Sequence, residues 1–397
     1  MTPQGARGDT VAALVFWVSA ALIAYGYVGY PLLMYVLGRL RWRPNIRKEI
    51  WPRVSLLVPA YNEGHVIKAK IQNCTELEYP KDRLEVLVAS DGSTDATGAA
   101  IENATRAGTI RGIVYPIRRG KAAVLNDLVA KASGEILVFS DASTMIEPAS
   151  LRALVSNFAD PRVGCVSGVY RLEISDRDGK AGAEALYWRY ETFVRQAEAR
   201  LGRMLGAHGA LYGIRREFFP SLEAGTRNED FLIPVTILMK GYRSVYDRRA
   251  VASEDSREMT GFSRRIGLAM GNYQQLVLLS KVRGWLRNPR LLFQLLSHKV
   301  LRLLTPFLIL GTFASSAYLL ASPGYRSAFT AQALFFGAAL LGVNARLRRR
   351  GGAVIAAPYY FCMVNAAGLV ALQRIVQGKG LGGLHAKPGA LQPVARR

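Results

Sequence analysis

Apolar residues are massed at the two ends of the chain, and polar and apolar residues interleave between them. Residues 11–37 form an apolar run longer than the roughly 20 residues a helix needs to cross a bilayer. Three more such runs, near 300–321, 328–344 and 353–372, predict three further spans. Residues 262–281 and 285–296 mix arginines with leucine, isoleucine and phenylalanine, which predicts amphipathic helices lying on the membrane surface just before the second span. Between these ends the pattern changes. Short apolar runs at 54–58, 84–89, 113–116, 136–139 and 163–169 predict strands, and helical spacing fills 121–132 and 148–158. Strands alternating with helices imply an α/β body with a mostly parallel sheet. The predicted segments are 1–49 (first helix and basic juxtamembrane stretch), 50–260 (α/β body), 261–297 (interfacial helices), 298–376 (three spans) and 377–397 (flexible tail).

Composition fits a membrane protein. Of 397 residues, 50% are apolar, and the formal net charge is +23. Such a charge raises nucleic-acid binding, but Arg39, Arg41, Arg43, Arg47 and Lys48 follow the first span and Arg346, Arg348, Arg349 and Arg350 separate two others. Basic residues there orient a protein with that side in the cytoplasm and attract anionic headgroups. No nucleic-acid-binding motif accompanies the charge, so nucleic acid is excluded as a partner. A cleaved signal peptide fits poorly, because the first run is too long, carries only Arg7 and Asp9 ahead of it, and ends in no small-residue cleavage site. Cys74, Cys165 and Cys362 form no CxxC pair, which suits a reducing compartment. A cytoplasmic body would also make the sequons at Asn73 and Asn103 irrelevant.

The polar residues that interrupt the strands carry the chemistry. Pro59-Ala60-Tyr61-Asn62-Glu63, Asp91-Gly92-Ser93-Thr94-Asp95 and Asp141-Ala142-Ser143-Thr144 each follow an apolar strand directly. Ligands of open α/β sheets bind at the carboxyl ends of strands. One such motif reads as a turn or cap; three in succession predict a shared crevice. No GxGxxG follows the first strand, and Arg118-Arg119-Gly120-Lys121 lacks the spacing of a P-loop, yet basic residues at a helix start suit a diphosphate. Asn228-Glu229-Asp230 reads as a helix cap or a catalytic acid, with Glu254-Asp255 as a rival acid.

These motifs, together with His208-Gly209-Ala210, resemble the membrane-bound branch of family 2 glycosyltransferases, which includes cellulose, chitin, hyaluronan and poly-N-acetylglucosamine synthases. The resemblance covers about residues 50–285 and implies a GT-A (Rossmann-like) cytoplasmic domain with flanking transmembrane helices, at a bacterial-type inner membrane. By the same resemblance Pro59, Ala60, Tyr61, Glu63, Asp91, Gly120 and Lys121 bind the nucleotide, and Asp141 with Ser143 holds Mg²⁺ or Mn²⁺. His208, Gly209, Ala210, Glu229, Arg264 and Arg265 face the acceptor or the diphosphate, and Asp230 is the catalytic base. The implied reaction is inverting transfer from a UDP-sugar to a growing glycan, the alternative being one sugar moved to a lipid or polyprenyl carrier. Membrane lipids, a second copy or an export subunit complete the expected partners. Two departures stand out: Ser143 replaces the second acid of the DxD motif, and Arg264–Leu268 has neither the Gln nor the Trp of the family's QxxRW. The missing Trp removes a stacking platform for an acceptor sugar, which favours single transfer over a polymer.

Overall fold

The computed structural model of the chain describes residues 3–173, 180–255, 262–281 and 288–378. Strands β1 (Val54–Ala60), β2 (Leu84–Asp91), β3 (Arg111–Tyr115) and β4 (Ile136–Phe139) form a parallel half-sheet in the order β3-β2-β1-β4. The sheet continues through β7 (Tyr212–Arg215), β6 (Val163–Glu173), β8 (Arg243–Asp255) and the short β5 (Met145–Ile146). Of these, β7 is antiparallel to both β4 and β6, while β6 and β8 run parallel.

Alternation along the parallel strands sorts two cores, because successive side chains leave a strand on opposite faces. Leu57, Leu87, Ala89, Leu137 and Phe139 face helices α5 (Lys121–Lys131) and α8 (Glu229–Met239). Leu56, Val58, Val86, Val88 and Val138 face α3 (Ile67–Thr75), α4 (Thr97–Arg106) and α6 (Ser150–Val155). With both faces covered, the strands can be apolar throughout. One expectation shifts: β1 runs on through Pro59 to Ala60 rather than stopping before it. The strand tolerates the proline because its missing N–H falls beyond the last pair with β4, Leu57–Phe139. The three cysteines are free thiols.

Among the described residues, three helices are long and apolar enough to cross a membrane: Arg7–Leu40, Pro289–Tyr318 and Gly352–Val376. The first joins α1 (Pro3–Ala24) to α2 (Tyr30–Leu40) through a π-helical turn. Two sequence expectations are corrected. The run near 328–344 forms helix α12 (Pro323–Leu341), but Arg326 in its early turns and Gln332 at its centre leave it short of a span by composition. The amphipathic helix expected at 285–296 is not separate. Residues 285–287 lie outside the described residues, and α10 (Pro289–Gln294) continues through a π-helical turn into α11 (Leu301–Tyr318) as one helix. No proline or glycine falls between Arg290 and Leu301, and the Asn288 side chain caps the start by accepting from the Leu291 N–H at 3.2 Å. The tail beyond 378 also lies outside the described residues.

The other amphipathic helix, α9 (Phe262–Lys281), buries Ile266 and Met270 against Ala367 and Ala371 of the last helix, α14 (Gly352–Val376). It still turns Leu268 and Val277 outward.

A buried polar cluster ties the α/β body to the helices. Glu191 and Glu198 on α7 (Lys180–Arg200) face Arg302 and His298 near the middle of the Pro289–Tyr318 helix. The Glu198 carboxylate contacts His298 Nδ1 at 2.7 Å and accepts from Tyr30 of α2 and from the Leu205 N–H. Removing one partner from such a buried set strands the others. Glu198→Ala is therefore expected to cost about 3 kcal/mol or more, read as a lowered thermal midpoint of the detergent-solubilised protein, with Glu198→Gln costing less.

Candidate active site

The loops after β1 and β2 are stitched together. Asn62, in a left-handed conformation at φ 55°, accepts from the Thr94 N–H at 2.9 Å, and its own N–H donates to Ser93 Oγ at 3.1 Å. Glu63 N–H donates to Thr97 Oγ1 at 2.8 Å. Asp95, the second acid of its motif, accepts from the N–H groups of Gly64 and Thr97, so it shapes the loops. Tyr61 faces the Arg118 guanidinium, 3.9 Å from its ring centroid. Asp91 is 4% exposed and accepts from the backbone N–H of Arg119 at 2.6 Å and of Gly120 at 2.8 Å. Gly92 has φ 64°, and a Cβ there would stand 2.4 Å from the Arg118 nitrogen, so only glycine allows the two loops to meet. Pro59, Ala60, Tyr61, Glu63, Asp91, Gly120 and Lys121 thus border one end of the crevice, as β1 and β2 finish in register, Ala60 opposite Ser90.

The acids converge at the centre. Asp141 follows β4, and the antiparallel β7 brings Tyr212 opposite Phe139, so the preceding residues 208–210 lie beside Asp141. Ser140 Oγ and Thr144 Oγ1 both donate to the Ala210 carbonyl, at 2.8 and 3.1 Å. The Ala207 N–H donates to the Asp230 carbonyl at 2.8 Å, which docks the start of α8 on the same loop. A Cβ on Gly209 would lie 3.0 Å from Asp141 Oδ2 and 3.6 Å from Asp230 Oδ2, so both carboxylates overlook the bare Gly209. Lys121 Nζ bridges Asp141 Oδ1 at 2.7 Å and Glu229 Oε1 at 2.6 Å. The Asp141 and Lys121 side chains are each 39% exposed, open to a ligand.

Charge is unevenly shared. Burial would raise the Asp141 carboxyl, but Lys121, helped by Arg264, holds it below the usual value. Burial, with the Glu229 charge second, pushes Asp230 up to about 6. His208 is 3% exposed and accepts at Nδ1 from Arg195 at 3.1 Å; burial, and then Arg195, keep it well below its ordinary pKa, so it is neutral with its proton on Nε2.

Other expected residues are placed differently. Ser143 Oγ donates to Glu254 Oε1 at 2.6 Å, so it turns away from Asp141. Glu254, the rival acid, also accepts from Tyr170 OH at 2.7 Å, which occupies both of its oxygens. Arg264 lies near Asp141, whereas Arg265 is 7% exposed between the rings of Tyr187 and Tyr360. Sequence reasoning missed Arg195 and the wholly buried Lys70, whose Nζ donates to Ser140 Oγ at 2.7 Å and the Thr144 carbonyl at 2.6 Å under the Asp141 loop. A lysine among the apolar positions of α3 was the available signal for the second.

Strand-end acids and a basic helix start thus border one crevice. Residues 55–222 match the family described as glycosyl transferase family 2, and the chain carries that family's domain on a GT-A fold. A solved mannosyltransferase of Pyrobaculum calidifontis, in complex with GDP-Man and Mn²⁺, is similar over 92% of this chain and 99% of its own, with 26% identity and a TM-score of 0.69. The beta-monoglucosyldiacylglycerol synthase of Synechocystis sp. is 34% identical over 39% of this chain and 35% of its own. The poly-beta-1,6-N-acetyl-D-glucosamine synthase of Staphylococcus aureus is 22% identical over 75% of this chain and 71% of its own. The chain spans less than two thirds of the length of the first curated relatives it matches, 63% and 35%.

Gly209 leaves little room for a side chain between the two carboxylates. Gly209→Ala, at a position whose backbone any residue can adopt, is expected to displace the two carboxylates and lower sugar transfer roughly 10- to 100-fold. An unchanged thermal midpoint would separate this from misfolding.

Proposed function

We propose that the chain catalyses inverting transfer of a sugar from a nucleotide-sugar donor to an acceptor held at the cytoplasmic face of a membrane. The observation that carries this reading is the meeting of Asp141 and Asp230 over Gly209. Asp230 is the general base. A sugar hydroxyl is a weak nucleophile, and a carboxylate titrating near 6 takes its proton as the oxygen attacks the anomeric carbon. The bond from that carbon to the donor phosphate breaks, and the nucleoside diphosphate leaves from the opposite face. Tyr61, Glu63 and Asp91 border the nucleoside, while Gly120 and Lys121 lie at the diphosphate.

The donor set suits Mg²⁺ or Mn²⁺, since these ions take oxygen ligands and often keep few from the protein. Asp141 Oδ2, without a hydrogen bond among the described residues and directed over Gly209, would hold it, and no group of three protein ligands is assembled there. Such an ion would neutralise charge gathering on the leaving diphosphate. The mannosyltransferase bound to Mn²⁺ supports this.

A growing glycan is the first acceptor reading, in line with the similarity to the poly-N-acetylglucosamine synthase. Transfer of one sugar to a lipid is the second. It is favoured by α9, which has Leu268 where the family's Trp would fall and packs on a membrane-length helix, and by the similarity to a beta-monoglucosyldiacylglycerol synthase. Product size separates them: a high-mass glycan or a single-sugar lipid.

Three results are expected from purified protein supplied with a panel of UDP- and GDP-sugars and assayed for nucleotide release. Asp230→Asn loses roughly 100- to 10,000-fold in turnover; wild-type rates in that variant would remove it as the base. Turnover falls as pH drops through about 6, where the base takes up its proton, and Glu229→Gln moves that inflection downward by removing the neighbouring anion. Chelation abolishes turnover and Mg²⁺ or Mn²⁺ restores it, whereas full activity in EDTA would exclude the metal.

A further inference from the structure

Away from the strand-end crevice, a cavity of about 500 Å³ opens where the first helix leaves its apolar stretch. It lies behind the acceptor loop, since Tyr246 lines it and sets its ring edge-on to His208, with centroids 5.9 Å apart. Three separate elements bring arginines to its wall: Arg39, Arg43 and Arg47 from the end of α2 and the stretch beyond, Arg200 from the end of α7, and Arg248 and Arg249 from β8. One acid, Asp247, lines it too, and that acid is already engaged by Arg249 at 2.8 Å and lies 3.9 Å from Arg47.

Arg39, Arg43, Arg200 and Arg248 have no carboxylate partner among the described residues. The Arg39 and Arg200 guanidinia are nonetheless held in place, and the backbone of Arg43 is tied to the end of α7. Arg39 and Arg200 both lie over the Tyr35 ring, 5.1 and 5.7 Å from its centroid, and the Arg43 N–H donates to the Arg200 carbonyl at 3.3 Å. Like charges crowd the surroundings further, and Arg43 contributes to holding both Arg203 and Arg243 below the usual guanidinium range, after burial. Gathering guanidinia on a concave surface without acids is unfavourable unless an anion joins them, and planar guanidinium forks match phosphate oxygens.

The geometry points to a binding site for a phosphate group here, built by Arg39, Arg43, Arg200 and Arg248, with the headgroup of an anionic membrane lipid as its occupant. The position selects the lipid. Arg7–Leu40 is 34 residues long. At about 1.5 Å per residue it exceeds a hydrocarbon core of about 30 Å, so its end reaches the headgroup layer. Trp42, 65% exposed on the cavity wall, is of the type that settles at that depth. A lipid bound there would wedge between the first helix, α7 and β8, and so fix the body against the membrane independently of the chemistry in the crevice.

The test uses the full chain in detergent. Phosphatidylglycerol and phosphatidylcholine are titrated and bound lipid is counted by native mass spectrometry, with inorganic phosphate titrated in parallel by calorimetry. Wild type is expected to retain phosphatidylglycerol over phosphatidylcholine. The Arg200→Gln/Arg248→Gln double variant should lose that retention by roughly tenfold per guanidinium removed. Arg200→Lys/Arg248→Lys, which keeps the charge, should lose less, and Lys68→Gln/Arg106→Gln, with both changes elsewhere on the surface, should lose nothing. Thermal midpoints of all variants check folding. Saturable binding of inorganic phosphate without lipid preference would keep the phosphate site and assign it a soluble ligand. Equal retention of both lipids with no phosphate binding, or wild-type retention in the glutamine variant, would overturn the proposal.

Discussion

The site depends on one shared cation. Lys121 stands between Asp141, which ends the parallel half of the sheet, and Glu229, which begins α8 beyond the antiparallel half. Without it, Asp141, Glu229 and Asp230 would crowd three like charges into one partly dry space, and the nearest would have to take up a proton to stay there. The bridge neutralises the two outer acids and leaves Asp230 as the one raised towards neutrality. A single side chain at the head of α5 thus lets the acids on either side of it take different roles. It also explains why the helix opens on Gly120: that residue's N–H closes on Asp91 while its neighbour reaches the centre.

What the sequence made legible follows from local periodicity. The strands β1, β2 and β4 read clearly because both their faces are buried, and the acids after them read clearly because strand ends are where open sheets bind ligands. The antiparallel half was less visible. Strand β7 is four residues long, and its pairing with β4 comes from residues more than 70 positions apart, so no local pattern marks it. Arg195 was hidden although its partners are only 12 and 13 positions on, because its role appears only when α7 packs beside the 207–208 loop. Ser143 and Arg265 were misdirected for a related reason. A motif fixes where a residue sits along the chain, but its side chain goes to the best partner in space, which is Glu254 for one and a pair of tyrosine rings for the other. Of the four apolar runs, three fall in membrane-length helices, and the continuity of Pro289–Tyr318 needed the structure, because a charged and apolar mixture suits either a surface helix or the wet end of a longer one.

The two halves of the molecule are joined by polar contacts as much as by apolar ones. Glu191 and Glu198 gather Arg302, His298 and Tyr30 where α7 crosses the first helix and the middle of the second. Charges in such a place are satisfied only in one arrangement, which gives the contact a definite register that an apolar surface alone would not impose. Lys299, in the same turn, lies over the ring of Phe231, the residue after Asp230. The membrane-length helix Pro289–Tyr318 therefore touches the segment that carries the raised carboxyl.

That register has a consequence for reach. Because the polar contacts grip a helix 30 residues long near its middle, at His298 and Arg302, the body cannot slide along it. The crevice is carried at one height above the bilayer, as a tool is held by a fixed stand. An acceptor anchored in the membrane presents its hydroxyl at a height set by its own headgroup or glycan. Length then becomes a criterion of choice, separate from any contact with the sugar: a hydroxyl that stands at the level of Asp230 reaches that carboxyl, and one that stops below it does not.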